Sequence, residues 1–356
     1  MDNIRKKIDK VDAKLLELLD IRAEYVKKLG KMKQEKGFSV FVPEREEKIL
    51  NKIRELSDEE GFSVEGKLNI FKEIFAVSRS LQKELTISYL GPEATFTHMA
   101  ALKQFSEHCR YLPSSSIDQV FREVEKKRAD YGVVPVENST EGAVTHTLDV
   151  FMESDCKITA EIIMDISHNL LSSEESLDKI KTVYSHPQAF GQCAIWLEEN
   201  LPGIQQVEVS STSAAAGKAS RQKGAAAIAS SVAAGLYSLK TLASSIEDAR
   251  KNVTRFYIIG RKMAAPSENS KTTVMFSIKD KVGALHDMLV PFKKHSINLT
   301  KIESRPSGNK AWEYIFFVDL EGHISQNKVK EALEELKKNC VFFKVLGSYP
   351  AAREIS

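Results

Sequence analysis

The chain has 356 residues, 42% of them hydrophobic and 28% charged, which is too long for one ordinary core and fits a water-soluble protein of two or three domains. Its 51 Lys and Arg against 49 Asp and Glu leave a net charge of +2, so there is no electrostatic footprint for nucleic acid or a membrane surface. The first residues read as a charged helix and not as a signal peptide. No apolar run approaches the roughly 20 residues that span a bilayer, and a cytoplasmic protein is expected. Cys109, Cys156, Cys193 and Cys340 are scattered without a CxxC pair, and the eight histidines show no HxxxH or HExxH spacing. Reduced thiols and no metal are expected.

Residues 3–36 contain one glycine, Gly30, and no proline, and Gly37 follows as a helix stop. Ile8, Val11, Leu15, Leu18, Tyr25, Leu29 and Met32 recur at steps of three and four, and between Leu18 and Tyr25 the stripe lands on Arg22. Lys33 lies about three turns beyond Arg22, on the same side. Pro43 opens a shorter helix that carries Arg45 and Glu46 near its start. A third helix, over residues 64–84, has Phe71, Ile74, Phe75 and Leu81 on a stripe that also holds Ser78 and Gln82. Cations brought toward an apolar interior need an anionic partner, and Glu46 alone leaves positive charge over, so a small polyanionic ligand is expected. A helix of this length runs about 50 Å. Two shorter helices cannot cover its stripe, so a second copy of the chain is expected to do so. Arg5 lies about 100° around the helix from Arg22, which suits a contribution to the partner's pocket.

Residues 1–85 resemble the all-helical chorismate mutase domain, an intertwined dimer with a buried, cation-lined pocket. The resemblance implies that Arg5 from the partner chain, Arg22, Lys33 and Arg45 hold the carboxylates and ether oxygen of chorismate. Glu46 would then meet the ring hydroxyl, with Ser78 and Gln82 completing the pocket; Lys33 and Gln82 would be the groups that act on the reacting oxygen. Many members carry an aspartate where this chain has Val42. The implied chemistry suits these residues, because a Claisen rearrangement needs a folded substrate and a stabilised ether oxygen, without acid, base or metal.

Residues 86–262 state one plan twice. "TISYLGPEATFTHMAALKQF" reads as strand, Gly-Pro turn and helix, and "CRYLPSSSIDQVFREVEKKRADYGVVPVENS" as strand, Ser-rich helix start, helix and strand. "TVYSHPQAFGQCAIWLEEN" and "VEVSSTSAAAGKASRQKGAAAIASS" repeat that order. The alternation predicts parallel α/β structure in two lobes with a cleft between them. Small polar residues gather after strands and at helix starts: Gly91-Pro92, Ser114 to Ser116 and Glu137-Asn138-Ser139, then Ser185-His186-Pro187-Gln188 and Thr212-Ser213. Singly, Ser115 and Ser211 read as N-caps; converging on one cleft, such groups would make an anion site.

This segment resembles prephenate dehydratase along its whole length, carried by "GPEATFTH", "VVPVENS", "SHPQAFGQC", "SSTSAAA" and "NVTRF". The fold implied is a two-lobed α/β domain of the periplasmic-binding-protein type. The reaction implied expels water and carbon dioxide as the ring becomes aromatic, and the departing hydroxyl needs a donor, which typically contributes about 10²–10⁴-fold. By the resemblance Thr254 is that donor, Arg255 holds a carboxylate and Phe256 packs the ring; the side-chain carboxylate is the one expected at Arg255, because neutralising the departing one would hinder decarboxylation. Asn138, Ser139, His186, Gln188, Thr212 and Ser213 would complete the substrate site. Members often have glycine where this chain has Ala94.

"KMAAPSENS" reads as a linker. Beyond it, strand 272–278, helix 283–295, strands 297–304 and 311–320, helix 325–338 and strand 341–348 follow the ferredoxin-like βαββαβ order. "GALHDML" and "ESRPSGNKAWEY" resemble the ACT regulatory domain. That resemblance implies phenylalanine bound at an interface between two such domains, by Gly283, Ala284, Leu285 and by Glu303, Ser304, Arg305, Pro306.

The expectation is a multidomain chain with a mutase domain over 1–85, a dehydratase domain over 86–262 and an ACT domain over 272–350. It would take chorismate to prephenate and on to phenylpyruvate, with phenylalanine as effector, itself as partner, and no cofactor. Two alternatives share these residues: a dehydratase whose helical segment only dimerises or binds an effector, and a two-lobed amino-acid sensor without catalysis.

Overall fold

The computed structural model describes residues 1–57, 61–249, 251–278, 281–306 and 314–352. They form two compact units, one of residues 1–85 with 105–110, the other of the remaining chain.

The first unit has three helices, α1 (Asp2–Lys36), α2 (Pro43–Leu56) and α3 (Val64–Gln82). Gly37 ends α1 in the left-handed region at φ 66°, the backbone state glycine reaches without strain. The face of α1 that meets α3 carries Val26 and Gly30, both buried, flanked by half-buried Arg22 and Lys33. A methyl group on Gly30 would stand 2.9 Å from Gln82 Cγ and 3.1 Å from its Cα, so glycine lets α3 close against α1. The apolar seam faces elsewhere: Leu18 is 61% and Tyr25 66% exposed, with Ile8, Val11, Leu15, Leu29 and Met32 exposed as well. Arg22 therefore does not belong to the seam, as the spacing had it, but to the neighbouring face. The seam itself has no cover from the described residues of its own unit.

The second unit opens with β1 (Thr86–Leu90), α4 (Phe96–Phe105), β2 (Arg110–Ser114), α5 (Ile117–Glu125), β3 (Tyr131–Asn138), β4 (Gly142–Ala143), α6 (Thr145–Glu153) and β5 (Lys157–Asp165). It continues through β6 (Asn169–Ser172), β7 (Thr182–Ser185), α7 (Pro187–Gln192), α8 (Ala194–Asn200), β8 (Gln205–Glu208), α9 (Thr212–Ala219), β9 (Ala225–Ala229), α10 (Ser231–Leu236), β10 (Lys240–Ala243) and β11 (Val253–Gly260). One lobe is a sheet in the order β2-β1-β3-β11-β5 with β4 beside β3, and the other a sheet in the order β10-β6-β9-β7-β8. The duplicated plan is visible in the parallel pairs β1/β3 and β7/β9. The sheets are mixed, not parallel as the alternation predicted, because β11 runs antiparallel between β3 and β5 and β6 runs antiparallel to β9. The chain passes between lobes twice, after β5 and after β10.

The C-terminal elements are β12 (Ser270–Ile278), α11 (Ala284–Lys294), β13 (Leu299–Pro306), β14 (Tyr314–Glu321), α12 (Asn327–Lys338) and β15 (Cys340–Pro350). The strand expected from 311 is seen from Tyr314; 311–313 lie outside the described residues. Their sheet, β13-β14-β12-β15, covers one face with α11 and α12 through Val274, Phe276, Val318 and Leu336. Its other face shares a core with the first lobe, in which Met275, Phe317, Leu346 and Tyr349 pack with Phe151, Ile158 and Tyr257. Gly347 permits this approach, since a Cβ there would fall 2.3 Å from the Ile158 carbonyl oxygen.

Candidate functional site

In the helical unit the Arg22 guanidinium donates to Ser78 Oγ, and Ser78 in turn donates to the Ile74 carbonyl. Lys33 Nζ donates to the Val40 carbonyl at 3.0 Å. Glu46 is ion-paired with Arg79 on α3, whose guanidinium is stacked between the rings of Phe41 and Phe105. Gln82 Nε2 donates to the Ser78 carbonyl at 3.0 Å, and its Oε1 is buried without a partner among the described residues. Arg22, Lys33, Ser78 and Gln82 thus come together, and Glu46 joins them already neutralised by a cation that the sequence pattern did not single out. Burial pulls both the Arg22 and Lys33 pKa values down, while Glu46 and Glu44 push back at Lys33. Burial raises that of Glu46 against the pull of Arg79. Among the described residues these two half-buried cations are bonded to a hydroxyl and a carbonyl and to no carboxylate, an arrangement that can receive one. Arg45 is exposed. Arg5 is exposed near Asp2, at 3.9 Å, and the helical rise puts it about 26 Å along α1 from Arg22.

In the two-lobed segment a chain of side chains runs from Thr254 across to the second lobe. Asn138 Nδ2 donates to Thr254 Oγ and to Asn252 Oδ1, both at 2.8 Å. Asn252 Nδ2 donates to Gln192 Oε1 at 3.0 Å, and His168 Nε2 stands 2.8 Å from the same oxygen. The orientation of each amide follows from groups that can act in only one sense. Asn138 Oδ1 accepts from the backbone N–H groups of Thr140 at 3.0 Å and Glu141 at 3.3 Å, which can only donate. Gln192 Nε2 lies 3.3 Å from the Glu141 carboxylate, which can only accept when ionised. The proton of His168 is therefore on Nε2, while Nδ1 is bare and buried without a partner among the described residues. Burial lowers the pKa of this imidazole, opposed by the Gln192 bond and by Glu247. Because Thr254 Oγ accepts from Asn138, its own proton is free to be given to a ligand.

Asn252 and His168 sit where the two inter-lobe passages run side by side: Ile246 N donates to the His168 carbonyl at 2.9 Å and Ile166 N to the Asn252 carbonyl at 2.7 Å. Gln192 and Asn252 lie within motifs quoted from the sequence without being singled out, and nothing in the spacing marks His168. The lobes also meet through Ser213 Oγ, which donates to the Glu93 carbonyl, and Ser230 Oγ, which donates to that of Ala94 at 2.8 Å. Ala94 holds a φ of 60°, so glycine at this place relieves a strained turn. Ser139 Oγ accepts from Val253 N at 2.9 Å. His186 caps α7 with its Nδ1 accepting from Gln188 N, and Gln188 is exposed. Thr212 opens α9 behind the Ser211 N-cap. In the first lobe the N-cap is Ser116, not Ser115, whose hydroxyl donates to the Gln119 side chain at 2.8 Å.

Two residues of "TRF" are placed otherwise than the resemblance implied. Successive strand residues face opposite sides, so Arg255 points away from Thr254. Its Nε donates to Glu161 at 2.6 Å and its Nη2 lies 2.7 Å from Asp319 on β14. A substrate carboxylate would have to displace those two. Phe256 is 1% exposed, closed within the lobe.

In the C-terminal sheet Gly283 N-caps α11 at φ 80° ahead of Ala284, and Leu285 is 54% exposed. Along β13 Glu303 and Arg305 are half-buried while Ser304 and Pro306 are exposed. Arg305 is held by Asp149 at 2.6 Å. Ala284 N donates to the Lys281 carbonyl at 3.1 Å, and the start of α11 behind Gly283 is the positive end of the helix, which favours a carboxylate.

Family models match three stretches: chorismate mutase type II over residues 4–83, prephenate dehydratase over 87–264, and the ACT domain over 272–338. A bifunctional chorismate mutase/prephenate dehydratase of Aquifex aeolicus is 49% identical over 355 residues, covering 99% of this chain and 98% of its own. Among solved structures, prephenate dehydratase from Arthrobacter aurescens in complex with L-Phe matches with a TM-score of 0.68 at 34% identity, over 75% of this chain and 90% of that one. The quorum quenching acylase GqqA matches with a TM-score of 0.69 at 28% identity, over 75% and 98%.

Proposed function

The chain belongs to the bifunctional chorismate mutase/prephenate dehydratase family, and from that premise we propose how its residues divide the work. The two activities are the rearrangement of chorismate to prephenate and the dehydration of prephenate with loss of carbon dioxide. The observation that carries the second assignment is the bond from Asn138 Nδ2 to Thr254 Oγ. As the bond to the ring carboxyl breaks, its electron pair enters the ring and the hydroxyl departs from the opposite carbon. Thr254 Oγ transfers its proton to that hydroxyl, which leaves as water and not as bare hydroxide, and Asn138 Nδ2 steadies the negative charge left on Oγ. Asn252, Gln192 and His168 keep Asn138 in the donating orientation. His186, Gln188, Ser139 and Thr212 supply donors for substrate, while Ser213, buried with its hydroxyl given to the Glu93 carbonyl, ties the lobes together.

For the rearrangement, Arg22 and Lys33 supply the positive field and Gln82 an amide at the migrating oxygen. Ser78 sets the Arg22 guanidinium, and Arg45 and Glu46 meet the outer groups of the substrate. The bare apolar seam of α1 supports a homodimer in which the partner's Arg5 completes each pocket; sedimentation that finds only monomer would remove Arg5 from the site. Four free cysteines fit the reducing cytoplasm. The complex of the A. aurescens relative with L-Phe supports phenylalanine as feedback effector, held by residues 283–285 and 303–306. Purified protein given chorismate alone should form phenylpyruvate, and phenylalanine should suppress it. Untouched chorismate would contradict the first assignment, and prephenate as sole product the second.

A further inference from the structure

Strands β3 and β11 present two residue pairs back to back. In their register Thr254 lies beside Asn138 and Arg255 beside Glu137. The first pair faces the inter-lobe site, and the second faces the C-terminal sheet. Arg255 and Glu137 are 3.6 Å apart, and neither is left to the dehydratase lobe alone. Asp319 of β14 lies 2.7 Å from Arg255, and Lys301 of β13 lies 2.9 Å from Glu137. Lys271 of β12 lies 2.7 Å from Glu161, which also takes Arg255. Three cations and three carboxylates therefore alternate across the seam between the two domains. The Glu161 and Asp319 side chains are 0% and 3% exposed, and at that burial a carboxylate cannot lose its cation without the remainder rearranging. Tyr349 adds its hydroxyl to Arg255 at 3.3 Å, and the Tyr257 ring lies beneath the guanidinium at 5.0 Å.

We propose that Arg255 and Glu137 are positioning residues for the dehydration, holding the Thr254–Asn138 pair from the reverse side of the sheet, and that the ACT domain governs that pair through Asp319 and Lys301. The regulatory half rests on the reading that phenylalanine binds residues 283–285 and 303–306. β13 carries both Lys301 and the effector segment, and Lys301, Glu303 and Arg305 share its half-buried face. Arg305 anchors the far end of that face to Asp149 of α6. An effector that shifts β13 must therefore break the Lys301–Glu137 contact or carry Glu137, and with it Asn138, along. The shared core of the two domains offers little slack to absorb such a shift.

The test uses the full-length protein and three variants, Asp319→Asn, Lys301→Met and Arg255→Lys, with mutase turnover of chorismate as the check that each is folded. Phenylalanine binding is measured by calorimetry, and dehydration of prephenate is followed with and without saturating phenylalanine. Asp319→Asn and Lys301→Met should still bind phenylalanine while the ratio of uninhibited to inhibited rate collapses toward one; the coupling lost should lie within about 5–150-fold. Arg255→Lys should lower kcat about tenfold or more with KM little changed, the signature of lost transition-state positioning. Full inhibition in variants that bind phenylalanine would overturn the coupling. A rise in KM with kcat retained would return Arg255 to the substrate and overturn its positioning role. If the wild-type protein binds no phenylalanine, the sensor reading fails and the coupling with it, while the positioning role is still decided by Arg255→Lys.

Discussion

Thr254 and Arg255 are neighbours that face opposite sides of one sheet, and that contrast sets what single residues disclose. The motif that holds them is legible in the sequence, as are Asn138 and the hydroxyl's place at a strand entrance. The direction of Arg255 is not, because two adjacent strand residues belong to different faces and only the pairing of β11 shows which face meets Asp319. His168 was equally hidden: a lone histidine carries no spacing, and its meaning comes from Gln192 and Asn252. Its titration gives a prediction. Burial lowers the folded pKa below the unfolded value of about 6.5, so the unfolded chain takes up the extra proton first. Stability from this group is full above about pH 6.5 and is lost as pH falls from there toward the folded pKa. Glu247, which accepts from the His168 backbone N–H at 2.8 Å, is the carboxylate facing it. His168→Gln keeps a donor and removes the titration, so its melting temperature should fall less steeply between pH 7 and 5 than that of the wild type. Parallel curves would show that His168 does not carry the acid sensitivity.

At the scale of elements, the periodicity located all three helices of the first unit and the order of the C-terminal sheet. It misjudged how α1 is turned: Arg22 was read as an interruption of the apolar stripe, whereas the stripe is exposed and Arg22 shares the α3-facing side with Val26 and Gly30. A stripe tells which residues are alike and not which neighbour is nearest, and Gly30, which admits α3, is the residue that settles it. In the lobes, strand direction escaped the sequence because β11 returns from the far lobe to lie between β3 and β5. Val42 has a definite structural consequence. It is the N-cap of α2, at φ −133° and ψ 78°, with no side-chain bond to the helix start. An aspartate there could accept from the N–H of Arg45 or Glu44 and would favour the positive end of the helix. Val42→Asp should raise stability by about 0.5–2 kcal/mol in denaturant unfolding of the helical unit. An unchanged or lower midpoint would mean that α2 is held by its contacts with α3 and not by its cap.

For the whole molecule, the order of three segments could be read from the chain, and with it two chemistries of different kinds. The first needs only charge and shape, and the site proposed for it is made of side chains with few alternatives: cations, one amide and a serine. The second needs a proton donor at a defined oxygen, and the site proposed for it is a bonded chain that spans both passages between the lobes. What no stretch of sequence could disclose is that the regulatory sheet shares a core with the catalytic lobe and shares the charges behind Thr254. On the proposed reading, the two faces of a single pair of strands serve reaction and control.

The most direct test of this account is to supply Thr254→Ala with chorismate and follow the products by mass. Prephenate should form at the wild-type rate and accumulate, with phenylpyruvate production lowered by about 10²–10⁴-fold, and Thr254→Ser should recover a substantial part of it. Phenylpyruvate appearing from the alanine variant at the wild-type rate would contradict the account, because Thr254 Oγ is the hydroxyl that accepts from Asn138 Nδ2 and keeps its own proton for the departing group.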